Sequence, residues 1–122
     1  LGIASPLAEA GLSREDVEEL LHRLGLPIAP PDTCILTRLP ANEPVDLDLV
    51  RRVDRAEEAV LREGITLVRA RCCGGGLRLE VPPEEVGALL EEGVRERIVS
   101  EALSLGFDFV AVDLRGYLRR RG

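Results

Sequence analysis

Three cysteines and a small set of arginines are the residues of this 122-residue chain that could do chemistry. Cys34 stands four residues before Arg38. A nearby guanidinium lowers a thiol pKa and raises the thiolate fraction. A nucleophilic or sulfur-donating cysteine needs that. The competing reading of Cys34 is a small buried hydrophobe, since free cysteine is often buried. Arg69 and Arg71 lie one residue apart. On a strand they would project from one face about 7 Å apart. With Arg38 they could hold a phosphate or a carboxylate in bidentate geometry. They could equally pair with Glu57, Glu80 or Asp113. The adjacent Cys72 and Cys73 do not match the CxxC spacing of zinc ribbons. Together with Cys34 they could hold an iron–sulfur cluster with one open iron. The alternative is two unrelated strand residues, one facing in and one facing out.

The elements that must position these residues centre on LVRARCCGGGLRLEV, residues 67–81. Val68 and Ala70 alternate with Arg69 and Arg71. After three glycines, Leu77, Leu79 and Val81 alternate with Arg78 and Glu80. A period of two makes a strand, a glycine turn and a second strand, with one apolar face and one face of Arg69, Arg71, Arg78 and Glu80. The glycines supply the positive φ of a tight hairpin. Upstream, residues 1–12 read as an irregular lead-in. Ser13 with Asp16 forms a weaker capping box for a helix carrying Val17, Leu20, Leu21 and Leu24, closed by Gly25 and Pro27. His22, the single histidine, sits in a charge-rich turn and reads as surface. Residues 28–44 hold four prolines and read as a long structured loop, of the kind that is often functional. Asp46 caps a second helix that ends at Gly64. Pro82 and Pro83 open a short helix that ends near Gly93, and a long one runs from about Val94 to Leu105. FDFVAVDL, residues 107–114, alternates as a last strand. The order α-α-β-β-α-α-β predicts an α+β fold, with a small sheet of about three strands covered by three to four helices.

Composition narrows the function. Hydrophobic content of 45% can build one core. A net charge of −6 argues against broad phosphate-backbone binding, and two Phe, one Tyr and no Trp argue against stacking platforms, so no nucleic-acid partner is expected. The basic run Arg119 to Arg121 reads as a solvated tail. No apolar run approaches 18 residues, so no membrane partner is expected. Three cysteines without a disulfide pattern point to a reducing cytoplasm. The chain holds no Met, so Leu1 is expected to follow processing or trimming. No phosphate-binding GxxxxGK(S/T), dinucleotide GxGxxG, HExxH, GxSxG or SGGxDS-type loop is present.

Four segments carry a family resemblance. SPLAEAGLSREDVEELLHRLGLP (5–27) resembles the end of the pyrophosphate-loop ATPase domain of ATP-activating enzymes. DTCILTRLP (32–40), LVRARCCGGGLRLEVPPEEV (67–86) and LGFDFVAVDLRGY (105–117) are more specific. In this order they resemble the C-terminal part of the ATP-dependent sacrificial sulfur transferases of nickel-pincer nucleotide cofactor biosynthesis. The resemblance implies residues 1–27 as the tail of, or linker from, the ATPase domain, and 28–122 as the sulfur-transferase-like domain. It implies that an ATPase half adenylylates a carboxylate of a pyridinium dicarboxylate mononucleotide, and that a cysteine, matched by Cys34, gives up its sulfur and ends as dehydroalanine. Thr37 and Arg38 match the motif's hydroxyl residue and arginine. Arg69 and Arg71 match its substrate-phosphate arginines, and Glu57 matches a helix glutamate. The family assembles as oligomers, which implies a homo-oligomer here.

Departures from the pattern are specific. Cys72, Cys73 and Gly74 stand where members carry Asp-His or His-His and Gly. Relatives with three cysteines imply Cys34, Cys72 and Cys73 as ligands of a [4Fe-4S] cluster with a labile sulfur. Leu118 and the arginines replace a Ser-Gly-rich ending, and Leu39-Pro40-Ala41-Asn42 lacks an aromatic–glycine pair. The ATPase half lies outside this sequence, on the same longer chain or on a separate subunit, so ATP would enter only through it. The reading from another class is a non-catalytic module for oligomer assembly or nucleotide binding, serving a partner ATPase.

Overall fold

The computed structural model describes residues 2–28 and 33–117. The Arg119–Arg121 tail, Leu118 and residues 29–32 of the proline-rich loop lie outside the described residues. The chain divides into two compact units, residues 1–33 and 34–122.

The first unit is helical. Its lead-in is more regular than the sequence predicts: Pro6–Glu9 forms a single turn, α1, with proline at its first position. Proline costs nothing there, because that amide has no helical partner. Helix α2, Arg14–Arg23, starts with a full capping box. Asp16 N–H donates to Ser13 Oγ at 3.2 Å, and Ser13 N–H to Asp16 Oδ2 at 2.8 Å. These bonds hold the Asp16 carboxyl below the usual carboxylate range. His22 lies in the last turn of α2.

The second unit is the α+β fold that the patterning predicts. Helix α3, Leu47–Arg62, is capped by Asp46, whose side chain accepts from Asp48 N–H. Strands β1, Arg69–Cys73, and β2, Gly76–Glu80, form an antiparallel hairpin pairing Ala70 with Leu79 and Arg71 with Arg78. Gly74 and Gly75 carry φ of 52° and 86°. Two successive positive φ values match the right-handed twist of the strands, which explains glycine at both. Gly76 serves differently: a Cβ there would lie 2.6 Å from the Phe109 ring. The chain then passes through a 3-10 turn, Pro83–Glu85, and helices α4, Val86–Leu90, and α5, Glu92–Ser104. It returns as β3, Val110–Val112, parallel to β2. A parallel neighbour requires such a crossover.

One sheet face takes the core. Val68, Ala70, Leu77, Leu79 and Val81 pack with Val53 and Val60 of α3 and Ile98 and Ala102 of α5, all nearly inaccessible. Burying each large side chain contributes roughly 2 kcal/mol. The last strand is shorter than the predicted 107–114: only Val110–Val112 pair, with Leu77, Arg78 and Leu79 of β2. Phe107 turns into the core instead. Asp108 N–H donates to Gly75 O at 3.0 Å, and Asp113 N–H to Leu79 O at 2.9 Å, so the flanks still track the hairpin. Among the described residues no helix is long and apolar enough to cross a membrane.

Candidate functional site

The site is built on the sheet's other face and on the free edge of β1. Alternation along β1 sends Ala70 and Cys72 to the core and Arg69, Arg71 and Cys73 to the polar face. Against the latter stand Glu80, Arg78 and Gly76 of β2. Glu80 Oε1 accepts from Arg71 Nε at 2.9 Å and from Arg78 Nη2 at 2.9 Å. One carboxylate oxygen therefore holds two guanidiniums. Near them Asp113 accepts from Arg115, which holds its carboxyl below the usual range; Arg78 adds to that effect.

Arg69 and Arg71 are not the matched pair that their spacing predicts. Arg69 is 2% exposed, whereas the Arg71 side chain is 31% exposed. Arg69 Nη1 donates to Val68 O at 2.8 Å, and its guanidinium lies 5.3 Å from the centre of the Tyr117 ring. Tyr117 reaches it because Tyr117 N–H bonds Val81 O at 2.6 Å. Gly116, at φ 72°, permits the approach: a Cβ would stand 2.7 Å from Val81 O. Sequence reasoning reads Gly116 only as the end of the last strand and gives Tyr117 no role beyond membership of the LGFDFVAVDLRGY motif.

Cys34 opens the 3-10 turn Ile35–Arg38. Its carbonyl accepts from Thr37 N–H at 3.0 Å, Thr37 Oγ1 at 2.8 Å and Arg38 Nη1 at 3.2 Å. Three donors on one oxygen pin the backbone beside an exposed side chain. The turn is docked to β1 twice. Arg71 Nη1 donates to Thr37 O at 2.9 Å. Arg38, 2% exposed, donates to Glu57 of α3, and Glu57 also accepts the edge amide of Ala70 at 2.8 Å. Glu57 thus serves a strand amide that has no sheet neighbour, and a buried cation. The structure brings Cys34, Thr37, Arg38, Glu57 and Arg71 into one connected constellation. The predicted salt bridges to Glu57 and Glu80 are both made, while Asp113 goes to Arg115.

The three cysteines are not brought together. Cys73 is exposed at the hairpin end on the arginine face. Cys72 points the other way and packs against the core. Burial pushes its thiol up, with Arg52 opposing the shift. Among the described residues no group of three His, Cys, Asp or Glu side chains could hold a metal ion. Adjacent residues on one strand face opposite sides, so these donors do not fit a three-thiolate cluster within one chain. The open groove between α3 and α5, lined by Arg62, Glu63 and Arg97 among others, shares no residue with this constellation.

No protein-family model matches the chain. It is 34% identical over 118 residues to an uncharacterized protein of Synechocystis, covering 95% of this chain and 44% of that one. An uncharacterized protein of Methanocaldococcus jannaschii is 24% identical over 115 residues, covering 94% and 44%. The pyridinium-3,5-bisthiocarboxylic acid mononucleotide synthase of Lactiplantibacillus plantarum is 30% identical over 120 residues, covering 95% and 42%. This last similarity supports the general family that the sequence motifs resemble. The chain spans less than half the length of each of these relatives.

Proposed function

We propose that residues 28–122 form a sulfur-transfer domain in which Cys34 delivers its sulfur to an adenylylated carboxylate of a nucleotide-like anionic substrate. A pyrophosphate-loop ATPase domain or subunit, to which residues 1–27 belong or lead, would consume the ATP. The observation that carries the reading is an exposed cysteine whose backbone is pinned by three donors and bonded, through Thr37 O, to Arg71 of the arginine face. Similarity over nearly the whole chain to a named bisthiocarboxylic acid synthase supports it.

The chemistry balances in two steps. The Cys34 thiolate attacks the acyl carbon, the C–S bond forms, and AMP leaves with the electron pair of the broken C–O bond. A base then takes the Cα proton of Cys34, Cβ–S breaks, and the sulfur departs on the substrate as a thiocarboxylate, leaving dehydroalanine. Thr37 and Arg38 hold the donor's backbone. Glu57 positions Arg38, Arg71 faces the substrate, and Arg69 supports the face from below. A reducing cytoplasm would keep Cys34 as a thiol. Since the cysteines do not converge, no step is drawn through an iron–sulfur cluster.

A second reading is a docking or oligomer-forming module. It is favoured by the exposed Leu20, Leu24 and Leu26 of the first unit. Intact mass separates the two. With the ATPase half, ATP and a pyridinium dicarboxylate mononucleotide, the wild-type chain should lose about 34 Da, the mass of H₂S, at Cys34, and Cys34→Ala should lose nothing. An unchanged wild-type mass would leave the docking reading.

A further inference from the structure

The carbonyl oxygen of Cys34 receives more donors than its turn requires. We propose that Thr37 and Arg38 form an oxyanion hole on it and act as catalytic residues, stabilising the enolate that Cys34 becomes as its Cβ–S bond breaks. The inference rests on the reading of Cys34 as the sulfur donor. It adds to that reading a chemical role for two residues that otherwise only hold backbone.

A 3-10 turn supplies one donor to the carbonyl that opens it, here Thr37 N–H at 3.0 Å. The Cys34 oxygen takes two more, Thr37 Oγ1 at 2.8 Å and Arg38 Nη1 at 3.2 Å. A threonine hydroxyl often bonds back to a carbonyl three residues earlier, so that bond alone would be ordinary. The guanidinium is not: it is a cation, its residue is 2% exposed, and Glu57 holds it from the other side through Nε. Two lone pairs are thus shared among three donors. A neutral amide oxygen gains little from the third; an enolate oxygen, carrying a full negative charge, gains from all of them. The donor cysteine forms that charge in the elimination step. A base takes the Cα proton, the freed pair forms Cα=C, and the carbonyl pair moves onto oxygen. The pair then returns, Cα=Cβ forms, and Cβ–S breaks with its electrons leaving on the thiocarboxylate. No oxidant or reductant is needed. The donors are in place before the charge appears, so they need no reorganisation when it does. At the extended ψ of 134° the Cα–H bond lies near the carbonyl plane, out of overlap with its π system. Proton loss therefore requires a turn about Cα–C, and the resting donor keeps its sulfur.

A surrogate leaving group tests the hole without ATP or substrate. In the full chain the exposed Cys34 and Cys73 are converted to dinitrophenyl thioethers, and their elimination to dehydroalanine at mildly alkaline pH is followed by peptide mass. Cys73 is the internal reference, since it lies in the strand ladder opposite Gly76 and outside the turn. The Cys34 adduct should eliminate about tenfold or more faster than the Cys73 adduct. Thr37→Val should slow elimination at Cys34 about tenfold, the loss of one hydrogen bond, and leave Cys73 unchanged. Thr37→Ser, which keeps the hydroxyl, should stay within about twofold of wild type. Alkylation of the free Cys34 thiol should be the same in wild type and both variants, because that reaction puts no charge on the carbonyl. Equal elimination at Cys34 and Cys73 in the wild type overturns the hole. So does a Thr37→Val chain that eliminates as fast as wild type, or one whose slower elimination comes with altered thiol alkylation, the mark of a merely displaced turn. The sulfur-transfer reading fails separately: intact mass with the ATPase half, ATP and substrate reports on it, whatever the surrogate does.

Discussion

The two faces of one hairpin follow opposite rules. On the helix-covered face Leu77 and Leu79 are 1% and 2% exposed, and any apolar side chain of the right size would serve. On the other face Arg71, Arg78 and Glu80 are held by hydrogen bonds to individual atoms, and Arg69 donates to Val68 O. Burial rewards area, which is non-directional; hydrogen bonding rewards position. The apolar face therefore supplies stability, and the polar face, at little gain in stability, holds charge in place. The proposed function uses the side where the positions matter.

The sharpest test uses neighbours on β2. Leu79→Ala should cost about 4 kcal/mol in urea unfolding, the transfer loss plus the cavity. Below the unfolding transition it should leave Cys34 alkylation unchanged. Arg78→Gln, one residue away on the exposed polar face, should change the unfolding free energy by less than about 0.5 kcal/mol. If Leu79→Ala costs under about 1 kcal/mol, the two-face division is wrong.

The next largest effect tests the tie between the faces. Glu57→Ala removes an ion-pair partner from the buried Arg38 and the acceptor from the Ala70 edge amide. It should cost about 3 kcal/mol. It should also raise hydrogen exchange selectively in the Cys34–Arg38 turn and at Ala70. A uniform rise across the sheet would mean that Glu57 does not join the turn to β1.

The smallest effect concerns adjacent cysteines. Cys34 and Cys73 should alkylate readily at neutral pH, and Cys72 slowly, with its rate rising only at a pH above that of an exposed thiol. The Cys72 thiol is pushed up in the folded state. Its contribution to stability is then fully present below the ordinary thiol range, and is lost as pH rises through the raised value. Urea midpoints measured from pH 7 upward should fall less in Cys72→Ala than in wild type. Equal rates for all three thiols would place Cys72 on the polar face.

Much of this was legible in the residues. Alternation assigned Arg78 and Glu80 to the face of Arg69 and Arg71, because side-chain direction in a strand is local. The α3 cap at Asp46 and the turn at Gly74–Gly75 were legible for the same reason. The opposed directions of Cys72 and Cys73 follow from the same period of two, and the structure agrees with that simpler reading. The α1 turn was missed because four residues carry too little periodicity to announce a helix. The ends of β3 were missed because alternation along residues 107–114 is local, whereas pairing with β2 is a long-range contact.

Apart from the α1 turn and the short 3-10 turns, the order of helices and strands, the hairpin and its two faces were determined by the sequence alone, through backbone preferences and periodicities that span a few residues. Which arginine would face solvent was not. Arg69 and Arg71 are locally equivalent, and they differ because Tyr117, from the far end of the described chain, settles over one of them while Glu80 and Thr37 hold the other. Only the tertiary structure could make that choice, since burial depends on what arrives from elsewhere in the chain.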